Sequence, residues 1–310
     1  MLRSGFLWLS ERRGVFNFIK RNGLAGRLAS RFVAGEGLGD AVEATRTVNE
    51  RGMTVTLDHL GESVTRAEDA RAACDHAMAM LDWIHRDGLD GNISVKLTQM
   101  GLDIDRQLAV DNMTRILERA GTYETFVRID MEASNYVERT LSVFAEDLRP
   151  TFGDLVGVVV QSMLRRSERD IDDLIAMGAR VRLVKGAYAE PGEIAFPDKQ
   201  DVDAAFASAT ERLLVHGNYP AIATHDGALI DHARRFASAR GIPADRYEFQ
   251  LLYGVRRDLQ ASLREQGHHV RIYVPFGTEW YPYLMRRLAE RPANLAFMVG
   301  SVAREVFART

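Results

Sequence analysis

The stretch Val156–Tyr188, "VGVVVQSMLRRSERDIDDLIAMGARVRLVKGAY", decides how the chain must fold. "VGVVVQSM" is a short apolar run rich in β-branched residues and predicts a strand. "ERDIDDLIAMG" carries a helical pattern, with Gly178 where a helix C-terminus should be. "VRLVKGAY" then begins a second strand at Val181. Outward from this unit the same rhythm recurs. Strand-like runs are "MTVTLDHL" from Met53, "NISVKLTQM" from Asn92, "TFVRIDME" from Thr125, "PAIATHD" from Pro220, "YEFQLLYG" from Tyr247 and "VRIYVPFG" from Val270. Helix-patterned stretches separate them, with Gly88, Gly217 and Gly241 at further expected C-termini.

Eight strand–helix units with near-continuous apolar strands predict a parallel sheet closed into a (β/α)8 barrel. A doubly wound open sheet is the alternative, but it usually has fewer strands and often a Gly-rich first turn. No G-x-G-x-x-G follows a strand; "GEGLGD" at Gly35 precedes the first strand and reads as an ordinary turn. No G-K-[ST] loop and no H-E-x-x-H occur. The division expected is an N-terminal helical arm, residues 1–45, and a barrel, residues 46–310.

The 310 residues suit such a barrel with extensions; 46% hydrophobic and 27% charged is a soluble globular composition. A net charge of −3 gives no overall push toward nucleic acid. Cys74 is the single cysteine, which excludes an internal disulfide and fits a reducing compartment. No apolar run approaches the roughly 20 residues of a membrane span, and the first segment is too interrupted by charge for a secretory signal. That segment is biased nonetheless. Arg3, Arg12, Arg13, Lys20, Arg21, Arg27 and Arg31 face only Glu11, among Phe6, Trp8, Phe16 and Phe18. It reads either as helices packed on the body or as a basic amphipathic surface that touches a membrane or another subunit.

Chemistry in such a barrel belongs at the carboxyl ends of the strands. Polar residues expected there are Lys96; Arg128, Asp130, Met131 and Glu132; Gln161; Arg182, Lys185, Gly186 and Tyr188; Thr224, His225 and Asp226; Glu248, Gln250 and Tyr253; and Arg271, Tyr273 and Gly277. The prominence of Lys and Arg suits an anionic ligand. "YPYLMRRLAERP", residues 281–292, predicts a last helix with Tyr283, Arg286, Arg287 and Glu290 close along one side. Two adjacent arginines can be buried there only if something anionic meets them.

Taken together, "SVKLTQMG", "RIDMEAS", "VVVQSM", "RLVKGAY", "ATHD", "FQLLYG" and "RIYVPFGTEWYPYLMRRLAERPAN" resemble the proline dehydrogenase family, over roughly residues 30–300 and in the right order. The likeness is to its monofunctional bacterial members. It implies a distorted barrel that holds FAD without a Rossmann domain. The implied reaction is oxidation of L-proline to 1-pyrroline-5-carboxylate, by hydride transfer to flavin N5. Electrons then pass to a membrane quinone, and the product to a pyrroline-5-carboxylate dehydrogenase. By resemblance Lys96, Arg286 and Arg287 bind the substrate carboxylate, with Tyr283 beside them, and Tyr273 packs on the proline ring. Asp130 and Arg182 are the catalytic pair, Arg182 at the reactive side of the flavin. Met131, Gln161, Lys185, Gly186, Ala187, Thr224 and His225 match cofactor contacts, and Glu290 matches a carboxylate pairing with the helix arginines; the last helix, which carries substrate ligands and follows the eighth strand, is expected to act as a lid. No metal is implied. Some bifunctional members carry Trp where this chain has Ala189. The expected location is cytoplasmic, or peripheral on the inner face of the cell membrane.

The rival reading is a divalent-metal barrel lyase or isomerase acting on a small carboxylate, with Asp130, Glu132, His225 and Glu248 as ligands. An excess of cations at the mouth argues against it.

Overall fold

The computed structural model describes residues 31–61, 63–280 and Tyr283. A first helix α1, Leu38–Asn49, leads into strand β1, Thr54–His59. There follow α2 (Ala67–Arg86), β2 (Gly91–Val95), α3 (Arg106–Thr122), β3 (Val127–Ile129), α4 (Ser134–Ser142) and a short α5 (Arg149–Phe152). The second half runs β4 (Val156–Gln161), α6 (Ser167–Ala176), β5 (Arg180–Val184), α7 (Lys199–His216) and β6 (Ala221–Ala223). It continues with α8 (Gly227–Ala239), β7 (Glu248–Leu252), α9 (Arg257–Glu265) and β8 (His269–Phe276). All eight strands pair in parallel with their sequence neighbours, and β8 returns to β1 in a closed barrel. This is the (β/α)8 architecture that the alternation predicts. The boundary expected at residue 45 falls within α1, which packs on β1 and β8.

The strands are less uniformly apolar than expected. β4 is buried along its whole length. Most others alternate. Val55 and Leu57, Ile93 and Val95, Val181 and Leu183, and Phe249 and Leu251 are fully or almost fully buried and belong to the hydrophobic core. Their intervening neighbours are polar and bond one another within the barrel, as Thr56 Oγ1 does to Asn92 Oδ1 on the adjacent strand at 2.6 Å. The period of two along a strand therefore sends apolar residues outward to the helices and polar ones inward. On the helix side, α2 buries Ala70, Cys74, Ala77, Met80, Leu81 and Ile84 at helical spacing. Burying each large side chain contributes roughly 1.5–3 kcal/mol. Burial also pushes the Cys74 thiol up to about 11, so this cysteine packs rather than reacts.

Local chemistry sets the element ends. Asp105 caps α3 by accepting from Leu108 N at 2.9 Å. Gly88, Gly178 and Gly241 adopt φ of 59°, 64° and 66° after their helices, whereas Gly217 is extended at −79°. One helix departs from expectation: after α4 the chain opens into a π turn, Val143–Leu148, before α5. Pro150 accounts for it, because proline has no N–H to give and its ring crowds the carbonyl four residues back.

Candidate active site

At the carboxyl end of the barrel four ionised side chains meet an aromatic. Asp58 lies near the end of β1, Lys96 just beyond β2 and Asp130 just beyond β3. Arg182 stands in the middle of β5 and Tyr273 in the middle of β8. Lys96 Nζ donates to Asp58 Oδ1 at 2.9 Å and lies 3.9 Å from Asp130 Oδ2. Arg182 Nη1 donates to Asp130 Oδ1 at 2.6 Å and to Ser94 Oγ at 3.2 Å. Tyr273 donates its hydroxyl to Asp130 Oδ2 at 2.7 Å, and its ring lies 5.2 Å from the Arg182 guanidinium. Both oxygens of Asp130 therefore already accept a hydrogen bond.

Withdrawing such ions from water costs several kcal/mol each, so the geometry has to repay it. Burial alone would lower the Lys96 pKa, but Asp58 and then Asp130 outweigh it and hold the ammonium above its usual range. Burial, reinforced by Asp130 and Asp58, raises Tyr273 well above the usual phenol range. Lys96 thus stays charged and Tyr273 stays a donor. In this cluster two cations are matched by two carboxylates; Arg286 and Arg287, which the expected excess of cations also counts, lie outside the described residues.

Three residues expected at the mouth lie at the opposite end. Glu248 is the first residue of β7, and its carboxylate takes Arg271 Nε at 3.0 and 3.1 Å. Arg271 Nη1 donates to Val55 O at 2.9 Å. Arg128 Nη1 donates to Arg180 O at 2.5 Å and Val158 O at 3.2 Å. The cause is the strand repeat. Residues two apart face the same side, roughly 6–7 Å apart along the strand. Arg128 and Asp130, Arg180 and Arg182, Glu248 and Gln250, and Arg271 and Tyr273 therefore share the interior at two levels. Gly157 pairs with Arg128 on one side and Arg180 on the other. A Cβ there would lie 2.8 Å from Arg128 Nη1 and 2.3 Å from Arg180 O, so only glycine leaves room for the guanidinium.

The residues expected to contact a cofactor line neighbouring strand ends, β3 to β6. Gln161 Nε2 donates to Glu132 O at 2.9 Å. Lys185 Nζ donates to Asp203 at 2.5 Å and Asp226 at 3.0 Å. Gly186 follows at φ 115°, where a Cβ would strike Met163 Sδ at 2.4 Å, and Ala187 is half-buried beside it. Thr224 Oγ1 accepts from Asp226 N at 3.2 Å, and His225 Nε2 accepts from Leu252 N at 2.9 Å, which leaves the imidazole proton on Nδ1. Met131 packs its side chain in the hydrophobic core. An ammonium, a hydroxyl, an imidazole N–H and a glycine main chain on one shelf form a donor set that fits an anionic nucleotide cofactor. Tyr283 is buried, and Arg286, Arg287 and Glu290 lie outside the described residues.

The metal reading fails on geometry. Glu248 is paired at the far end, Glu132 binds Thr98 Oγ1 at 2.6 Å, and the His225 Nε2 lone pair is taken. Among the described residues no group of three or more His, Cys, Asp or Glu could hold a metal ion. Sequence reasoning passed over Asp58, whose signal is an acid in "TLDHL" beside the β2 lysine. It also passed over Asp203, which reaches Lys185 from α7. His59 stacks on His76 with ring centroids 4.9 Å apart.

Fold and site together define a (β/α)8 barrel enzyme whose reactive end is a buried, charge-balanced cluster suited to a small zwitterion. Comparison with known proteins gives the particular kind. The family model described as proline dehydrogenase matches residues 41–299. The chain is 42% identical to proline dehydrogenase 2 of Bacillus subtilis (strain 168) over 295 residues, covering 95% of this chain and 96% of that protein. It is 38% identical to the proline dehydrogenase of Deinococcus radiodurans, covering 96% and 97%. The crystal structure of proline utilization A from Bdellovibrio bacteriovorus inactivated by N-propargylglycine matches with a TM-score of 0.82 and 26% identity. That match covers 93% of this chain but 35% of the larger protein. The chain belongs to the proline dehydrogenase family and is an enzyme of that kind.

Proposed function

We propose that this enzyme oxidises L-proline to 1-pyrroline-5-carboxylate with FAD, and that the electrons leave to a membrane quinone in the first step of proline breakdown to glutamate. The observation that carries the reading is the pairing of Lys96 with Asp58 and of Arg182 with Asp130 around Tyr273 at the barrel mouth. Bound FAD would supply an acceptor for the two electrons and the hydrogen removed from the carbon beside the ring nitrogen.

The chain's own residues do the positioning. In this reading Lys96 takes the substrate carboxylate together with Arg286 and Arg287, with Glu290 as counter-ion to the arginines and Tyr283 as a further substrate contact. Charge-assisted bonds of this kind contribute roughly 1.5–3 kcal/mol each. Tyr273 presents its ring to the pyrrolidine and excludes water from that face. Asp130, both of whose oxygens are engaged, orients rather than abstracts. Arg182 places a fixed positive charge where negative charge develops on the cofactor. Gln161, Lys185, Gly186, Ala187, Thr224 and His225 hold the cofactor, with Met131 beneath it.

Holding a reacting bond in line is worth effective molarities of about 10⁵ M or more. Such a site needs no strong base if the amine is presented neutral. The basic N-terminal segment is the natural contact with the membrane that holds the quinone, and a pyrroline-5-carboxylate dehydrogenase takes the product onward. None of the described helices is long and apolar enough to cross a membrane.

The test is the visible spectrum of the purified protein before and after L-proline. A yellow solution bleached by proline is the expected result. A colourless protein active only with Mg²⁺ or Mn²⁺ would sink the reading.

A further inference from the structure

One unbroken series of hydrogen bonds runs through the barrel from mouth to floor. Asp130 accepts from Arg182 Nη1, and Arg182 Nε donates to Gln250 Oε1 at 2.6 Å. Gln250 Nε2 donates in turn to Glu248 Oε1, which also receives Arg271 Nε. Arg182, Gln250 and Glu248 are only 4%, 4% and 3% exposed, so water does not substitute for a lost partner. The two ends of the Gln250 carboxamide are not interchangeable here. Turned over, it would set its oxygen against the Glu248 carboxylate and its N–H₂ against the Arg182 guanidinium. Glu248 therefore dictates that an acceptor faces Arg182.

We infer that Gln250 is a positioning residue for Arg182. Its carboxamide, oriented by Glu248, fixes the rotation of the guanidinium and hence the direction in which Arg182 meets Asp130. The inference rests on the proposed role of Arg182 and Asp130 in proline oxidation. Without Gln250 the guanidinium is pinned at Nη1 alone, by Asp130 and Ser94. It can then swing about that atom and carry its charge away from the cofactor. Lys96 keeps its direct partner through such a swing, because it donates to Asp58 rather than contacting Arg182.

The test compares the holoenzyme with its Gln250→Leu and Gln250→Glu variants. Steady-state kinetics with L-proline and a soluble dye are read beside the midpoint potential of the bound cofactor. Gln250→Leu should lower kcat by about tenfold while KM changes by less than about twofold, the scale of one hydrogen bond to a charged group. The midpoint potential should become more negative. In Gln250→Glu the introduced carboxyl faces Glu248, with Arg182, Arg271, Arg128 and Arg180 as the surrounding cations and the Tyr219 hydroxyl donating to Glu248. Ionised, the introduced carboxylate still accepts from Arg182 Nε but repels Glu248, so its orientation is lost; at lower pH the two adjacent carboxyls share one proton, which restores the bond to Glu248 and with it the orientation. Its kcat should approach wild type at low pH and fall as pH rises.

Loss of thermal stability in Gln250→Leu with kcat, KM and potential unchanged would overturn the inference. So would a Gln250→Glu kcat that follows the wild-type pH profile at a constant ratio. A wild-type protein that proline fails to bleach would instead overturn the functional reading, so the two failures are distinguishable.

Discussion

The two charged layers of the barrel are built from the same residue types and solve the same problem differently. At the floor, cations are held by the backbone. Arg271 reaches Val55 O, and Arg128 reaches Val158 O and Arg180 O. Arg128 and Arg180 also sit 4.6 and 4.2 Å from the Phe126 ring. Burial, then the repulsion of Arg182 and Arg180, lowers the Arg128 pKa well below its usual range. At the mouth, Lys96 and Arg182 are held by side chains alone: Asp58, Asp130, Ser94 and Gln250. Backbone carbonyls cannot turn away without breaking strands, so the floor locks the barrel. Side-chain partners can share a cation with an incoming ligand, so the mouth can exchange one anion for another. The difference separates a structural use of buried charge from a chemical one.

The largest effects should come from emptying each layer in turn. Arg182→Met should cut kcat/KM for proline by about 10²–10³, the usual loss when one preorganised electrostatic donor is removed. Its melting temperature should fall too, but less than that of Arg271→Met, because Asp130 keeps Tyr273 and Lys96. Arg271→Met should do the reverse. It deprives buried Glu248 of its ion-pair partner and leaves it the neutral donors Gln250 and Tyr219, a change that costs about 3 kcal/mol or more. Turnover per folded molecule should fall less than tenfold, since Glu248 and Gln250 remain in place. Denaturant titration and kinetics on the same preparations check both. The contrast breaks if Arg271→Met loses activity as severely as Arg182→Met at unchanged stability.

A finer cut is Tyr273→Phe, which keeps the ring and deletes the hydroxyl donated to Asp130. The lost bond is to a charged acceptor, so kcat/KM should fall about tenfold or somewhat more. Stability should hold, because the remaining ring still lies against the Arg182 guanidinium. An unchanged kcat/KM would mean that Asp130 needs no second donor and that the mouth is less tightly specified than the floor.

The barrel was legible because eight apolar runs and their intervening helices each carry a period of their own. The cluster of Asp130, Arg182 and Tyr273 was legible as polar residues on strands that need none for packing. The level at which each charge sits was not. "RVRL" puts Arg180 and Arg182 on one face, and nothing in the pattern says that one arginine serves the floor and the other the mouth. Strand register decides that, and register is a property of the closed sheet. Partners supplied from elsewhere in the fold were equally hidden. Lys185 meets Asp203 and Asp226 from α7 and the start of α8, and "VKGAY" gives no sign of either.

The smallest expected effect reads the two layers through their histidines. His59 stands at the mouth end of β1 and His268 just before β8 at the floor. Burial, then His76, lowers the His59 pKa, with Asp58 partly opposing; burial, then Arg234, lowers that of His268. An unfolded histidine takes its proton near about pH 6.5, whereas these two take theirs lower in the folded protein. Below about 6.5 the unfolded chain therefore binds more protons. The contribution is fully present above that pH and is lost as pH falls toward the folded values. Denaturation midpoints should accordingly be level above pH 7 and decline below it. Replacing His59 or His268 with Phe should each flatten part of that decline, and the double variant more than either. If the double variant keeps the wild-type slope, the acid sensitivity lies in carboxylates such as Asp203 and Asp226. Burial tends to raise those, but their lysine partners hold them low.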